Sequence, residues 1–124
     1  MKTSVRYPVT QGDVIVNAAS TLFGRTELNT DKALPADVYC GDILDSKTFA
    51  LFDATAADAG EPVINLSDMS ADDKPKTLVI VDRHVVITDF ALRAKDDASK
   101  KEALKRLTAD GSIRLAINAN FYKA

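Results

Sequence analysis

Apolar positions along the chain come in short bursts, and most of the bursts carry the two-residue period of a strand. Thr77-Leu-Val-Ile-Val81 and Val85-Val-Ile-Thr88 are the most β-branched runs, and they predict an antiparallel pair at the centre of a sheet, turned at Asp82-Arg-His84. Polar residues do not interrupt either run, so both faces are expected to be buried. Thr48-Phe-Ala-Leu-Phe-Asp53 predicts another strand, joined to a shorter one at Val38 to Leu44 across the hairpin loop Asp45-Ser-Lys47. Gly41 inside the shorter run marks a bulge or a close approach of backbone. Asp13-Val-Ile-Val-Asn17 and Val63 to Leu66 are weaker strand candidates, and Ser112 to Ile117 alternates as an edge strand does.

Only one segment carries a helical period. From Ser99 to Ala109, Ala103, Leu104 and Leu107 form a narrow apolar stripe. Ser99 and Glu102 have the spacing of a capping box, Glu102 and Arg106 that of an i,i+4 ion pair, and Gly111 suits a left-handed stop. Thr21 to Pro35 holds no clean period and reads as loops or irregular strands. Ala54 to Glu61 and Ser67 to Pro75 read as polar, acidic loops. Met1 to Gln11 is polar and contains Pro8, which disfavours a helix or a central strand. The expected fold is therefore mainly β (α+β): a mobile N-terminal arm over residues 1–11, then a single β-rich domain over 12–124 with one packed C-terminal helix.

Composition narrows the functional classes. A chain of 124 residues with 46% apolar and 27% charged residues builds one domain with a modest core. No run approaches the roughly 18 apolar residues of a membrane helix, and Met1 to Gln11 lacks the apolar stretch of a signal peptide, so a soluble protein made in the cytoplasm is expected. The net charge of −2 hides a split. Between residues 37 and 75, nine carboxylates (Asp37, Asp42, Asp45, Asp53, Asp58, Glu61, Asp68, Asp72, Asp73) face only Lys47 and Lys74, while Lys100, Lys101, Lys105 and Arg106 make the helix basic. Opposite potentials on one small body favour oriented contacts with partners or between copies. Nucleic-acid binding is disfavoured, because Asp96, Asp97, Glu102 and Asp110 interrupt the basic residues and no aromatic platform accompanies them.

Catalytic parts are scarce. His84 is the only histidine, and no G-x-S-x-G elbow or activated cysteine stands ready to pair with it. Cys40 is the only cysteine, which excludes an internal disulfide and any metal site that needs two thiolates, and it reads as a small buried apolar residue. Asp68, Asp72 and Asp73 lack the spacing and the closing glutamate of a calcium loop, so a solvated acidic loop is expected there. With Tyr7, Tyr39 and Tyr122 as the only tyrosines and no tryptophan, a sugar-stacking cleft is disfavoured. No enzyme activity, cofactor or metal is expected; the chain reads as a protein whose product is a contact.

The order Gly12-Asp-Val-Ile-Val-Asn17, Gly41-Asp-Ile-Leu44, Thr48-Phe-Ala-Leu-Phe-Asp53, the Val79 to Asp89 pair and Ala103-Leu-Lys-Arg-Leu-Thr-Ala-Asp-Gly-Ser-Ile113 resembles the head decoration, or capsid cement, proteins of lambda-type tailed phages. The family helix reads Ala-Leu-x-x-Leu-x-x-x-Gly-Ile-x-x-Arg, and here Ser112 stands between Gly111 and Ile113. Val63-Ile-Asn-Leu66 takes the place of the family's Ala-x-Gly-Ile-Leu strand. The resemblance covers residues 12 to 117. It implies a protein without an active site that sits as a homotrimer on the outer surface of the expanded icosahedral head in the virion. There it clamps neighbouring copies of the major capsid protein against internal DNA pressure. It further implies an N-terminal arm that orders against the capsid and adds a strand to a capsid edge, with Tyr7, Pro8, Val9, Val14 and Ile15 in the matching segment. A terminal strand in the protein's own sheet is the alternative for that segment. Other functions in view are a tail-tube or head-completion subunit, and a small inhibitor or immunity-type protein that presents its acidic face to a basic target.

Overall fold

A computed structural model describes residues 9–18 and 24–116 of the chain. In chain order they form α1 (Gln11–Val14), β1 (Ile15–Ala18), β2 (Arg25–Ala33), β3 (Ile43–Asp45), β4 (Pro62–Ile64), β5 (Pro75–Val81), β6 (Val85–Ile87), α2 (Asp97–Leu107) and β7 (Ile113–Leu115). Three small sheets result: β1-β6-β7, β2-β5 and β3-β4. The fold is a small, mostly β domain with a helix packed near its C-terminal end.

Two apolar cores lie on opposite sides of the β3-β4 ribbon. Successive side chains of a strand point to opposite faces, and Ile43 and Leu44 accordingly enter different cores. The larger core gathers Val14, Ile15, Phe52, Ile64, Val85, Ile87 and Ala103, among others. The smaller one gathers Leu34, Val38, Leu44, Phe49, Leu78 and Ile80. Strand β5 contributes to both, through Val81 on one side and Leu78 and Ile80 on the other.

The two β-branched runs do form strands, but they do not pair with each other. Strand β5 pairs antiparallel with β2, Leu28 opposite Leu78. Strand β6 pairs antiparallel with β1, Ile15 opposite Ile87, and parallel with β7, Val85 opposite Ile113. The cause lies in the turn between them. Asp82 donates its N–H to the Gly24 carbonyl, and both His84 and Val85 donate to the Ser112 carbonyl, while His84 sits in the left-handed region at φ 60°. Donors that would have closed a hairpin are taken by other segments, so the strands diverge into separate sheets.

Elsewhere tertiary partners also override local pattern. Residues 48–53 are not a strand: Phe49 has φ 62°, and the reversal keeps a single Leu44–Leu51 bridge, flanked by the Asp45 N–H to Ala50 and Phe52 N–H to Ile43 bonds. Asp13 and Val14 belong to the helical turn α1 rather than to β1. The longest strand, β2, lies where no period is legible. Its outward positions are polar and Leu28 is its one large apolar residue, so the ladder with β5 and polar contacts such as that of the buried Thr30, whose hydroxyl accepts from the Lys76 N–H at 2.7 Å, hold it extended. The expected edge strand near the C-terminal end is β7, at the margin of its sheet.

Helix α2 starts earlier than its sequence suggests. Asp96 is the N-cap, accepting from the Ser99 N–H at 2.7 Å. Ser99 is fully buried, and its hydroxyl instead accepts from the Ala54 N–H at 2.9 Å, fixing the Ala54–Glu61 loop. The Glu102–Arg106 bond forms as spaced, at 2.9 Å, Ala103 is fully buried with Leu104 and Leu107 packed on the core, and Gly111 is left-handed at φ 82°. Two substitutions separate the roles at the helix start. Asp96→Ala is expected to cost about 1 kcal/mol as a lost cap, whereas Ser99→Ala, which leaves an inward N–H without its acceptor, is expected to cost about 2 kcal/mol. Urea unfolding of the two variants measures the difference; a loss at Ser99 no larger than that at Asp96 would remove the Ser99–Ala54 bond as the stronger of the two contacts.

Candidate functional site

Three surfaces carry the residues that the sequence singles out: the entry segment before β1, the acidic loops between residues 37 and 75, and the face of α2. At the entry, the Thr10 N–H donates to the Asp13 carboxylate at 2.9 Å. The Gln11 side chain donates to the Leu66 carbonyl and accepts from Arg25 Nε at 2.7 Å, and the Thr88 hydroxyl donates to the Asp13 carbonyl at 2.6 Å. Tyr7 and Pro8 lie outside the described residues. Val9 is half-buried against the larger core.

Val14 and Ile15, expected as anchors for a partner's sheet, are built into the body instead. Val14 is fully buried and Ile15 nearly so, paired with Ile87. The apolar burst that marks them as anchors is the same signal that a core strand gives, and burial decides between the two. Among the described apolar residues of this segment, Val16 alone is half exposed, on β1 at the margin of its sheet. The residues from Val9 on belong to the body, so an arm, if it acts on a partner, acts through the residues before them.

Much of the acidic block works inside the fold. The Asp45 carboxylate, buried, accepts from the N–H groups of Lys47, Thr48 and Gly60. Asp42, also buried, receives the Arg93 guanidinium on both oxygens at 3.0 Å and accepts from the Tyr39 N–H. Asp68 accepts from the Cys40 N–H and Asp37 from the Ala71 N–H. Asp72 pairs with Lys76 at 2.6 Å. Asp42 and Asp45 are buried, whereas Asp37, Asp68, Asp72 and Asp73 are exposed, so residues 67–75 do form the solvated acidic loop that the sequence suggests; in both settings short, irregular segments leave backbone donors without ladder partners, and carboxylates supply the acceptors.

Asp53 sits by a cavity of about 450 Å³ that is also lined by Asp45, Thr48, Asp58 and Lys95. Lys95 Nζ bonds it at 2.9 Å, and Thr55 donates from both hydroxyl and N–H; together they hold its carboxyl down at about 2. A carboxylate bound this firmly to a cation accepts protons poorly near neutral pH, and its neighbour Asp45 is occupied by backbone donors. Among the described residues no group of three or more His, Cys, Asp and Glu side chains is arranged to hold a metal ion.

His84 is exposed at the β5–β6 turn, where its backbone donates to Ser112 at 2.6 Å. Cys40 is buried in the larger core, as a small apolar residue is expected to be. The sequence pattern gives no warning of two further features. Asn65, fully buried, bridges the Tyr39 and Ser67 carbonyls and the Ser67 N–H. Phe90, three residues past β6, is the most exposed large apolar residue described, at 76%. No family model, curated protein or solved structure matches the chain.

Two predictions follow from the charge contacts. Arg93→Ala leaves Asp42 buried without its cation and is expected to cost about 2 kcal/mol in chemical denaturation. That lies below the roughly 3–5 kcal/mol of fully enclosed pairs because Arg93 is 42% exposed and water reaches the site. For Asp53 the folded value is depressed, so its contribution to stability is present above the ordinary 3.8 and is lost as pH falls towards 2. Lys95→Met is expected to move the Asp53 carboxyl-carbon titration up towards 3.8 by NMR; an unmoved midpoint would assign the depression to Thr55 alone.

Proposed function

We propose that this protein is a capsid decoration protein of a tailed phage. On this reading it binds the expanded head as a homotrimer on the outer surface and stabilises the lattice by contact rather than by turnover. The observation that carries the reading is the closing unit of the domain. One of the segments that carry the resemblance, Ala103 to Ile113, forms the end of α2, the Gly111 turn and the start of β7, and β7 docks on β6 in the middle of the sheet. A small, mostly β body closed in this way agrees with the fold that the resemblance implies.

The entry segment adds support. Bonds from Thr10, Gln11 and Thr88 fix the chain at Val9 to Val14 beside the β1 edge, so whatever precedes Val9 departs from a defined point on the body. An extended segment leaving such a point can pair with an open strand of a neighbouring shell subunit. A ligand of this kind binds only the mature lattice and therefore stabilises it by mass action, and many weak sites in an icosahedral array add up.

Cosedimentation with expanded and unexpanded heads, with stoichiometry read on a gel, tests the proposal. Saturable binding to expanded heads alone, in many copies per shell, is the expected result; binding to neither form would overturn it. Removal of Met1 to Pro8, which leaves the Thr10 and Gln11 bonds in place, is expected to weaken attachment by about tenfold or more with an unchanged melting temperature. Full occupancy by the truncated protein would remove the arm from the proposal.

A further inference from the structure

Phe90 is held out to solvent by a tight turn rather than left there by a loose loop. The Leu92 N–H donates to the Asp89 carbonyl at 3.1 Å, which makes Phe90 and Ala91 the central residues of the turn. Ala91 and Leu92 are buried in the larger core and anchor it. An aromatic displayed at 76% exposure on an anchored turn contributes nothing to its own core, and the fixed turn presents it to a partner at little ordering cost.

Beside this turn lies a groove of about 440 Å³ between α2 and β7. Leu104 and Leu115 give it apolar lining, Lys100, Lys101 and Lys105 outnumber the two carboxylates, Asp89 and Asp97, that also line it, and the rim is cationic on balance. Its volume is of the size that takes one aromatic side chain with its flanking backbone. The dipeptide Asp89-Phe90 has the matching chemistry: a ring for the apolar lining and a carboxylate for the lysine rim.

We infer that copies of this chain associate by seating Phe90 of one copy in the α2–β7 groove of another, with Asp89 against the Lys101 and Lys105 rim. Knob and hole are different patches of one copy, so the contact runs head to tail, and a rotation of one third of a turn between copies closes it as a three-membered ring. The carboxylate fixes the register and the ring supplies the apolar burial. The inference deepens the decoration reading by naming the surface at which copies meet, and it rests on that reading only for the requirement that copies meet at all.

Sedimentation velocity of the full chain from micromolar to millimolar concentration tests it, with Phe90→Ala, Lys101→Glu, Asp89→Lys and the Lys101→Glu/Asp89→Lys pair. Phe90 is exposed, so its variant is expected to melt as the wild type does. The expected result is concentration-dependent association of the wild type, weakened about tenfold or more by Phe90→Ala. Each single charge reversal should weaken it too, and the combined reversal should restore it. A wild type that stays monomeric at millimolar concentration overturns the inference, as does a Phe90→Ala variant that associates equally well. If Phe90→Ala instead loses binding to expanded heads while the wild type stays monomeric, the knob belongs to the shell contact and the inference falls. If the association pattern holds but no variant binds heads, the decoration reading fails and this contact stands.

Discussion

Buried acceptors hold the connecting segments of this domain in place, and the rest of the structure depends on them. Five of the seven strands among the described residues are only three or four residues long, so ladders satisfy a small share of the backbone and the loops must find partners elsewhere. Asp45 gathers three N–H groups from two loops, Asn65 ties Tyr39 to Ser67, and Ser99 anchors the loop after Asp53 to the helix. The described residues include no buried side-chain nitrogen or oxygen without a hydrogen-bond partner. Such networks are costly to break, because each removed acceptor leaves a donor desolvated.

The same staples dictate packing around them. A Cβ placed on Gly60 would lie 2.8 Å from the Asp45 carboxylate and from Lys47 Cγ, so the close approach that lets Asp45 reach the Gly60 N–H demands glycine there. Asp42 and Arg93 likewise lock two distant segments: the pair lies beside the Asp42–Arg93 bridge and the Ile43 N–H bond to the Arg93 carbonyl at 2.7 Å. Arg93 also lies over the Tyr39 ring at 5.9 Å. Loops fixed from within present their outer faces in one arrangement, which lowers the ordering cost of any contact they make. For a protein proposed to act by contact, internal stapling and surface recognition are therefore the same design.

Local chemistry was legible where it was self-contained. The Glu102–Arg106 pair and the Ala103 stripe appear as their spacing predicts, because each depends on residues within one or two turns of each other; Gly111 is left-handed as expected, but in the turn after the helix, which already ends at Leu107 with Thr108 as its C-cap. Cys40 is buried as expected for its type. The Asp96 cap was missed because two acceptors, Asp96 and Ser99, stand three residues apart and both fit a helix start; the burial of Ser99 against Ala54 decides. Strand β2 was missed because it carries one large apolar residue, and its extension comes from a partner distant in the chain, as between Asn29 and Thr77.

Sequence alone determined that this chain is a small, mainly β domain with one C-terminal amphipathic helix, since β-branched bursts and a single 3.6-residue stripe are properties of neighbouring residues. Tertiary structure decided which strands pair, and it broke the apparent hairpin by spending the donors of the Asp82–Val85 turn on Gly24 and Ser112. It also decided the fate of Val14, Ile15 and Phe90. An apolar side chain looks the same in sequence whether it faces a core or a partner, and only the surrounding atoms determine whether water reaches it: two of these are sealed inside, and the third stands in solvent.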